Sequence, residues 1–110
     1  MLRSRFFVDE FQNCRAEFQQ PYAVIGWFLE QDVQASLESC SHIRSICRDV
    51  LEGRLEGFQS SGNAHVLIIE ANTVTLQNQF AFDNASCVIT LNDLIEALDQ
   101  WRALIEIGRR

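Results

Sequence analysis

The sequence predicts an α+β domain: an antiparallel sheet of about five strands with two main helices packed on one face. Three observations predict it. Residues 31–52, and the stretch from Thr90 onward, place apolar side chains three and four apart, the period of a helix with one buried stripe. Residues 73–80 alternate polar and apolar side chains, the period of a half-buried strand. The 110 residues, of which 47% are hydrophobic, suit one domain (1–110) with one core. A sheet with one polar face and helices with one apolar stripe each are satisfied together in a two-layer sandwich. The other sheet face then stays wet and available.

The first element is a hairpin over residues 5–20. Phe6-Phe7-Val8 favours a strand, Gln12-Asn13 a turn, and residues 15–19 return. Pro21 breaks any regular element before Tyr22. In the helix over 31–52, Val33, Leu37, Cys40, Ile43, Cys47, Val50 and Leu51 form the stripe, widened by Ile46. Gly53 suits its C-terminal cap, because glycine enters the left-handed conformation at little cost. Strands at 65–70 and 73–80 flank Ala71-Asn72, a link short enough for a hairpin turn through the asparagine. Val66-Leu67-Ile68-Ile69 is apolar on both faces and so reads as a central strand. Cys87-Val88-Ile89 is a further strand. Thr90-Leu91-Asn92-Asp93 has the form of a capping box. Leu91, Leu94, Ile95, Leu98, Trp101 and Ile105 then make the second helical stripe.

Charge is distributed unevenly. Residues 55–107 hold seven acids (Glu56, Glu70, Asp83, Asp93, Glu96, Asp99, Glu106) against one base, Arg102. That difference of −6 equals the net charge of the chain, and there is no lysine. Such a half attracts basic partners and repels phosphate, so direct nucleic-acid binding is disfavoured.

The residues of catalysis are thinly represented. His42 and His65 are the only histidines, and no metalloprotease, phosphate-loop, nucleophile-elbow or dinucleotide motif occurs. Cys40 and His42, two apart on a helix, face away from each other. His65, at a strand start, reads as a surface or hydrogen-bonded histidine, with a binding contact as the alternative. Glu96 and Asp99, three apart, read as a solvated helix face or as a patch for a basic partner. Trp101 lies on the apolar stripe. Trp27 reads as a staple between helix and sheet or as an interface anchor. The cysteines Cys14, Cys40, Cys47 and Cys87 read as thiols packed as small hydrophobes. Cys40 and Cys47 are roughly 10 Å apart along a helix, too far for a disulfide. No metal or cofactor is called for. No apolar stretch of signal-peptide or membrane-span length follows the basic start, so a cytoplasmic location without a membrane span is expected.

The order Val24-Ile25-Gly26-Trp27-Phe28-Leu29-Glu30-Gln31-Asp32-Val33-Gln34 precedes a helix containing Cys40. It is followed by Gly53, Gly62-Asn63-Ala64-His65, Thr73-Val74-Thr75-Leu76, and Ile89-Thr90-Leu91 through Trp101. Over residues 22–107 this resembles the small immunity proteins of bacterial contact-dependent growth inhibition and related polymorphic toxin systems. More distantly, it resembles a set of uncharacterised small bacterial proteins with a similar Gly-x-Trp-Phe helix entry, which here is Gly26-Trp27-Phe28, and a similar carboxyl-terminal strand–helix arrangement. The resemblance implies a cytoplasmic, non-enzymatic inhibitor of one cognate toxin C-terminal domain, a basic one and often a nuclease, whose substrate channel an acidic patch would mimic. The alternative is an interaction or regulatory module without a toxin. The resemblance hands over no site residues. Charge, polarity and strand register nominate Glu70, Asn72, Asp83, Asn84, Glu96 and Asp99, with Thr75, Gln77 and Gln79 on the open sheet face. Phe80 and Phe82 beside that face offer an apolar contact for a homodimer. A deep pocket with a buried carboxylate or histidine would point instead to a small enzyme or a ligand-binding protein.

Overall fold

The computed structural model describes residues 2–80 and 85–108. Its first element is the expected hairpin, β1 (Ser4–Val8) and β2 (Cys14–Phe18), with Phe6 opposite Ala16. The connecting turn is organised by Asp9, whose Oδ1 accepts the Phe11 and Asn13 N–H groups, each at 2.9 Å. These bonds hold the Asp9 carboxyl below its ordinary range, the Asn13 bond contributing most.

The segment after Pro21 departs from expectation. Ala23–Phe28 is a helix, α1, continued by a π-helical turn over Leu29–Val33. The chain reverses at Gln34, with φ of 59°. Only then does α2 (Leu37–Leu51) begin, its first turn closed by Ser36 Oγ accepting the Ser39 N–H at 3.1 Å. The helix expected over 31–52 therefore starts six residues late, since 37 − 31 = 6. Tertiary bonds override the periodicity here. Asp32 is drawn to a strand turn, and the Gln34 carbonyl accepts the Trp101 Nε1–H at 2.7 Å. At the other end Gly53 has φ of 81° and donates to the Val50 carbonyl, as its capping role requires.

Four strands follow: β3 (Gly57–Ser61), β4 (His65–Glu70), β5 (Thr73–Asn78) and β6 (Ser86–Thr90), in spatial order β3-β4-β5-β6 and all antiparallel. The architecture is α+β, with three α-helices and six antiparallel strands among the described residues, in a four-stranded and a two-stranded sheet. The single sheet of about five strands is thus corrected twice. β3 joins it as an edge strand, and β1–β2 stands apart. β3 lacks an apolar run because only Phe58 is partly buried. The hairpin packs on α1 and on the last helix, α3 (Leu91–Gly108), where the Phe6 ring lies 5.7 Å from Phe18 and 6.4 Å from Trp101.

Leu67, Ile69, Val74, Leu76, Cys87 and Ile89 point from the sheet into the core. α1 lies against β5 and β6, and α2 against β3, β4 and α3. Every residue of the stripe expected on α3 is buried. Its capping box closes reciprocally: Asp93 N–H donates to Thr90 Oγ1 at 3.1 Å, and Thr90 N–H donates to Asp93 Oδ2 at 3.2 Å. The β4–β5 turn is made by Ala71, not by Asn72, since Ala71 carries the positive φ of 52°. The strand expected over 73–80 ends at Asn78, whose side chain turns to bonds described below. Trp27 lies on α1 and is 38% exposed. No described helix is long and apolar enough to cross a membrane.

Cys40, Cys47 and Cys87 are buried thiols, and Cys14 is partly exposed. Burial pushes the Cys47 thiol up to about 12 and that of Cys87 up to about 11, so neither forms thiolate near neutrality. Native protein treated with iodoacetamide at pH 8 is expected to be alkylated first at Cys14. Cys47 and Cys87 should react only on unfolding, as peptide mass mapping would show.

Candidate functional site

The nominated residues divide between two layers. Strand pairing aligns the open sheet face in rows: Gln59, Ile68, Thr75 and Val88 in one, Ser61, Val66, Gln77 and Ser86 in the next, then Gly57, Glu70, Thr73 and Thr90. Glu70, Thr75 and Gln77 are therefore brought together. Asn72 lies in the turn at one end of this face, and Gln79 follows β5 at the other. Apolar Val66, Ile68 and Val88 sit among them, Val88 being 60% exposed. Glu96 and Asp99 project from α3, in the helical layer. Asp83, Asn84 and Phe82 lie outside the described residues; Phe80 is exposed.

Ion pairing decides which acids project a field. Asp99 is held by Arg44, through Nε–Oδ1 at 2.6 Å and Nη2–Oδ2 at 3.3 Å. That bond and the carboxylate charge raise the Arg44 guanidinium above its ordinary value. Arg5, Arg15, Arg48, Arg54 and Arg102 are likewise engaged, with Glu17, with Asp9 and Glu30, with Glu52, with Asp49 and Glu52, and with Glu106. Among the described residues, Glu56, Glu70, Asp93 and Glu96 of the acidic segment have no arginine partner, and Asp93 is taken up in the helix cap. Glu56 immediately precedes Gly57, which pairs with Glu70, so two of these charges share one end of the sheet.

A second polar centre escaped the sequence reading. Two carboxylates of the π-turn, two residues apart, point to different partners. Glu30 Oε2 accepts the Ala16 N–H at 2.9 Å and Arg15 Nε–H at 3.0 Å, clasping the hairpin. The hydrogen bond to Glu30 is the main cause of a raised Arg15 guanidinium. Asp32 clasps the β3–β4 turn. Its Oδ1 accepts Ala64 N–H at 3.1 Å and its Oδ2 accepts His65 N–H at 3.0 Å. Gly62 makes this approach feasible, because a Cβ there would collide with Asp32 Oδ2.

His65 is fully buried, which selects the hydrogen-bonded reading over the surface one. Its tautomer follows from its neighbours. Phe80 N–H donates to Asn78 Oδ1 at 2.8 Å, which turns Asn78 Nδ2 towards His65 Nε2 at 3.3 Å. Nε2 then accepts, the ring proton is on Nδ1, and Nδ1 donates to Asp32 Oδ1 at 3.1 Å. The Phe28 ring meets the imidazole edge-on at 5.9 Å.

A pocket of about 250 Å³ opens beside this pair, between α2 and strands β3 and β4. Phe28, Ile43, Ile46, Phe58 and Leu67 form apolar walls, while the Asp32 and His65 side chains supply its buried polar side and Ser39, His42, Ser60 and Gly62 its outer part. Both ring nitrogens of His65 are engaged, so it is no free base for proton transfer. Among the described residues no three His, Cys, Asp or Glu side chains converge in a way that could hold a metal ion. The sequence carried one faint sign of this centre: two acids placed within the apolar run 24–33. No protein-family model, curated protein or solved structure matches the chain.

Proposed function

We propose that this chain is a protein-binding inhibitor that captures a basic partner, as an immunity protein does when it neutralises a cognate toxin domain of the nuclease type in the cytoplasm. The observation that carries the reading is the division of its charges. Among the described residues most arginines are consumed in internal ion pairs, while Glu56, Glu70 and Glu96 have no arginine partner. Unpaired surface acids on a chain of net charge −6 speed the approach of a basic protein in a salt-dependent way. The uncovered sheet face, polar at Thr75 and Gln77 with Val66, Ile68 and Val88 between, supports a contact of mixed chemistry.

The test is co-expression with the carboxyl-terminal domain of a large protein encoded beside this gene. Growth rescue together with a co-purifying complex is the expected result. Failure of both, with the protein soluble and folded, would favour an interaction module without a toxin. In the complex, Glu70→Lys with Glu96→Lys should lower the association rate about tenfold at low salt and far less at 0.5 M salt, roughly beyond the reach of electrostatic steering. Stopped-flow fluorescence would read this, and an unchanged rate would remove both residues from the binding surface. Asp99 is a poorer site for charge reversal, because its change also releases Arg44.

A further inference from the structure

We infer that the pocket between α2 and β3–β4 receives an arginine side chain of a protein partner, with Asp32 as its counter-ion. The inference rests on the reading above that the partner is a basic protein.

The first ground is an asymmetry between two neighbouring carboxylates. Glu30 and Asp32 both accept backbone N–H groups, but Glu30 also holds the guanidinium of Arg15. Asp32 holds none. Its third donor is His65 Nδ1, on an imidazole whose Nε2 faces Asn78 Nδ2. The Asp32 side chain is only 6% exposed, against 19% for Glu30, so the more buried carboxylate is the one without a cation. Its three donors satisfy the carboxylate's hydrogen bonds but bring no arginine to offset its charge, and an incoming cation would do so. The second ground is access. Asp32 and Gly62 both line the pocket, and any side chain at position 62 would cover Oδ2. The third is the wall. Phe28 and Phe58 bring aromatic rings to the wall, whose faces attract cations, and Ile43, Ile46 and Leu67 offer apolar surface to a methylene stem. A volume of about 250 Å³ falls below the range of drug-sized ligand sites but accommodates one long side chain. No arginine among the described residues lines the pocket.

The test is a titration of the intact, ¹⁵N-labelled protein, followed by NMR. The probes are N-acetyl-arginine methylamide and its neutral isostere, N-acetyl-citrulline methylamide. The expected result is saturable shifts with the arginine compound, confined to the amides of Asp32, Ser60, Gly62 and His65 and several-fold larger than with citrulline. Ser60→Phe, at an exposed edge-strand position on the pocket mouth, should abolish them while leaving the remaining spectrum in place. Equal response to both probes, no response, or shifts elsewhere would overturn the inference. The outcome is independent of toxin rescue. Arginine capture without rescue would discard the immunity reading and keep the pocket; rescue without arginine capture would do the reverse.

Discussion

Replacing Asp32 by alanine is expected to lower the unfolding free energy by about 4 kcal/mol, since each buried donor left unsatisfied costs about 1–3 kcal/mol. Three donors lose their acceptor together: the Ala64 and His65 N–H groups and His65 Nδ1. His65 is fully buried, so its ring has no ready route to water. Asp32→Asn separates geometry from charge. Its amide oxygen can still serve Ala64 and the imidazole, but its NH₂ would then meet the His65 N–H, donor against donor. A loss of about 2 kcal/mol is expected for that variant. Urea unfolding of the three proteins would rank them. A loss below about 1 kcal/mol for Asp32→Ala would mean that water in the neighbouring pocket replaces the carboxylate, and that the clasp contributes little.

Gly26→Ala is expected to cost about 3 kcal/mol, at the upper end of the range for overpacking a filled site. Glycine is ordinarily a poor helical residue, and alanine would gain about 1 kcal/mol of intrinsic propensity. Here that gain is outweighed. The new Cβ would collide with the Ala16 carbonyl oxygen and stand 3.0 Å from its carbon, and neither atom can move without shifting β2. α1 must therefore lift from the hairpin, weakening the Glu30 bonds to Arg15 and Ala16 as well. A fall in Tm of roughly 15 °C follows for a domain of this size. Thermal unfolding by circular dichroism checks it, and an unchanged or raised Tm would show that the close approach of helix and hairpin is dispensable.

The elements legible in the sequence are those whose burial is one-sided. β5 and α3 each bury one face, so alternation and the helical stripe report them directly, and the Thr90–Asp93 box marks the start of α3. α1 and the π-turn were not legible. Val24, Ile25, Gly26, Phe28 and Leu29 are all buried, and an all-round apolar segment carries no period. β3 buries too little to alternate. At the candidate site, the shared face of Glu70, Thr75 and Gln77 follows from the two-residue strand repeat. Asp32, Gly62 and His65 meet only through the fold: the aspartate and the strand turn are more than thirty residues apart in sequence.

The π-turn sets a limit on chain length as well as on residue type. Each turn of a π-helix closes over one residue more than an α-helical turn. Deleting one residue from Leu29–Val33 would rotate everything beyond it by roughly 100° about the helix axis. Glu30 and Asp32 could not then both reach their amides, because one serves the hairpin before the turn and the other a loop well after it. The segment behaves as a spacer of fixed residue number. Many of its side chains can be exchanged, but an insertion or deletion there separates the two sheets of the molecule.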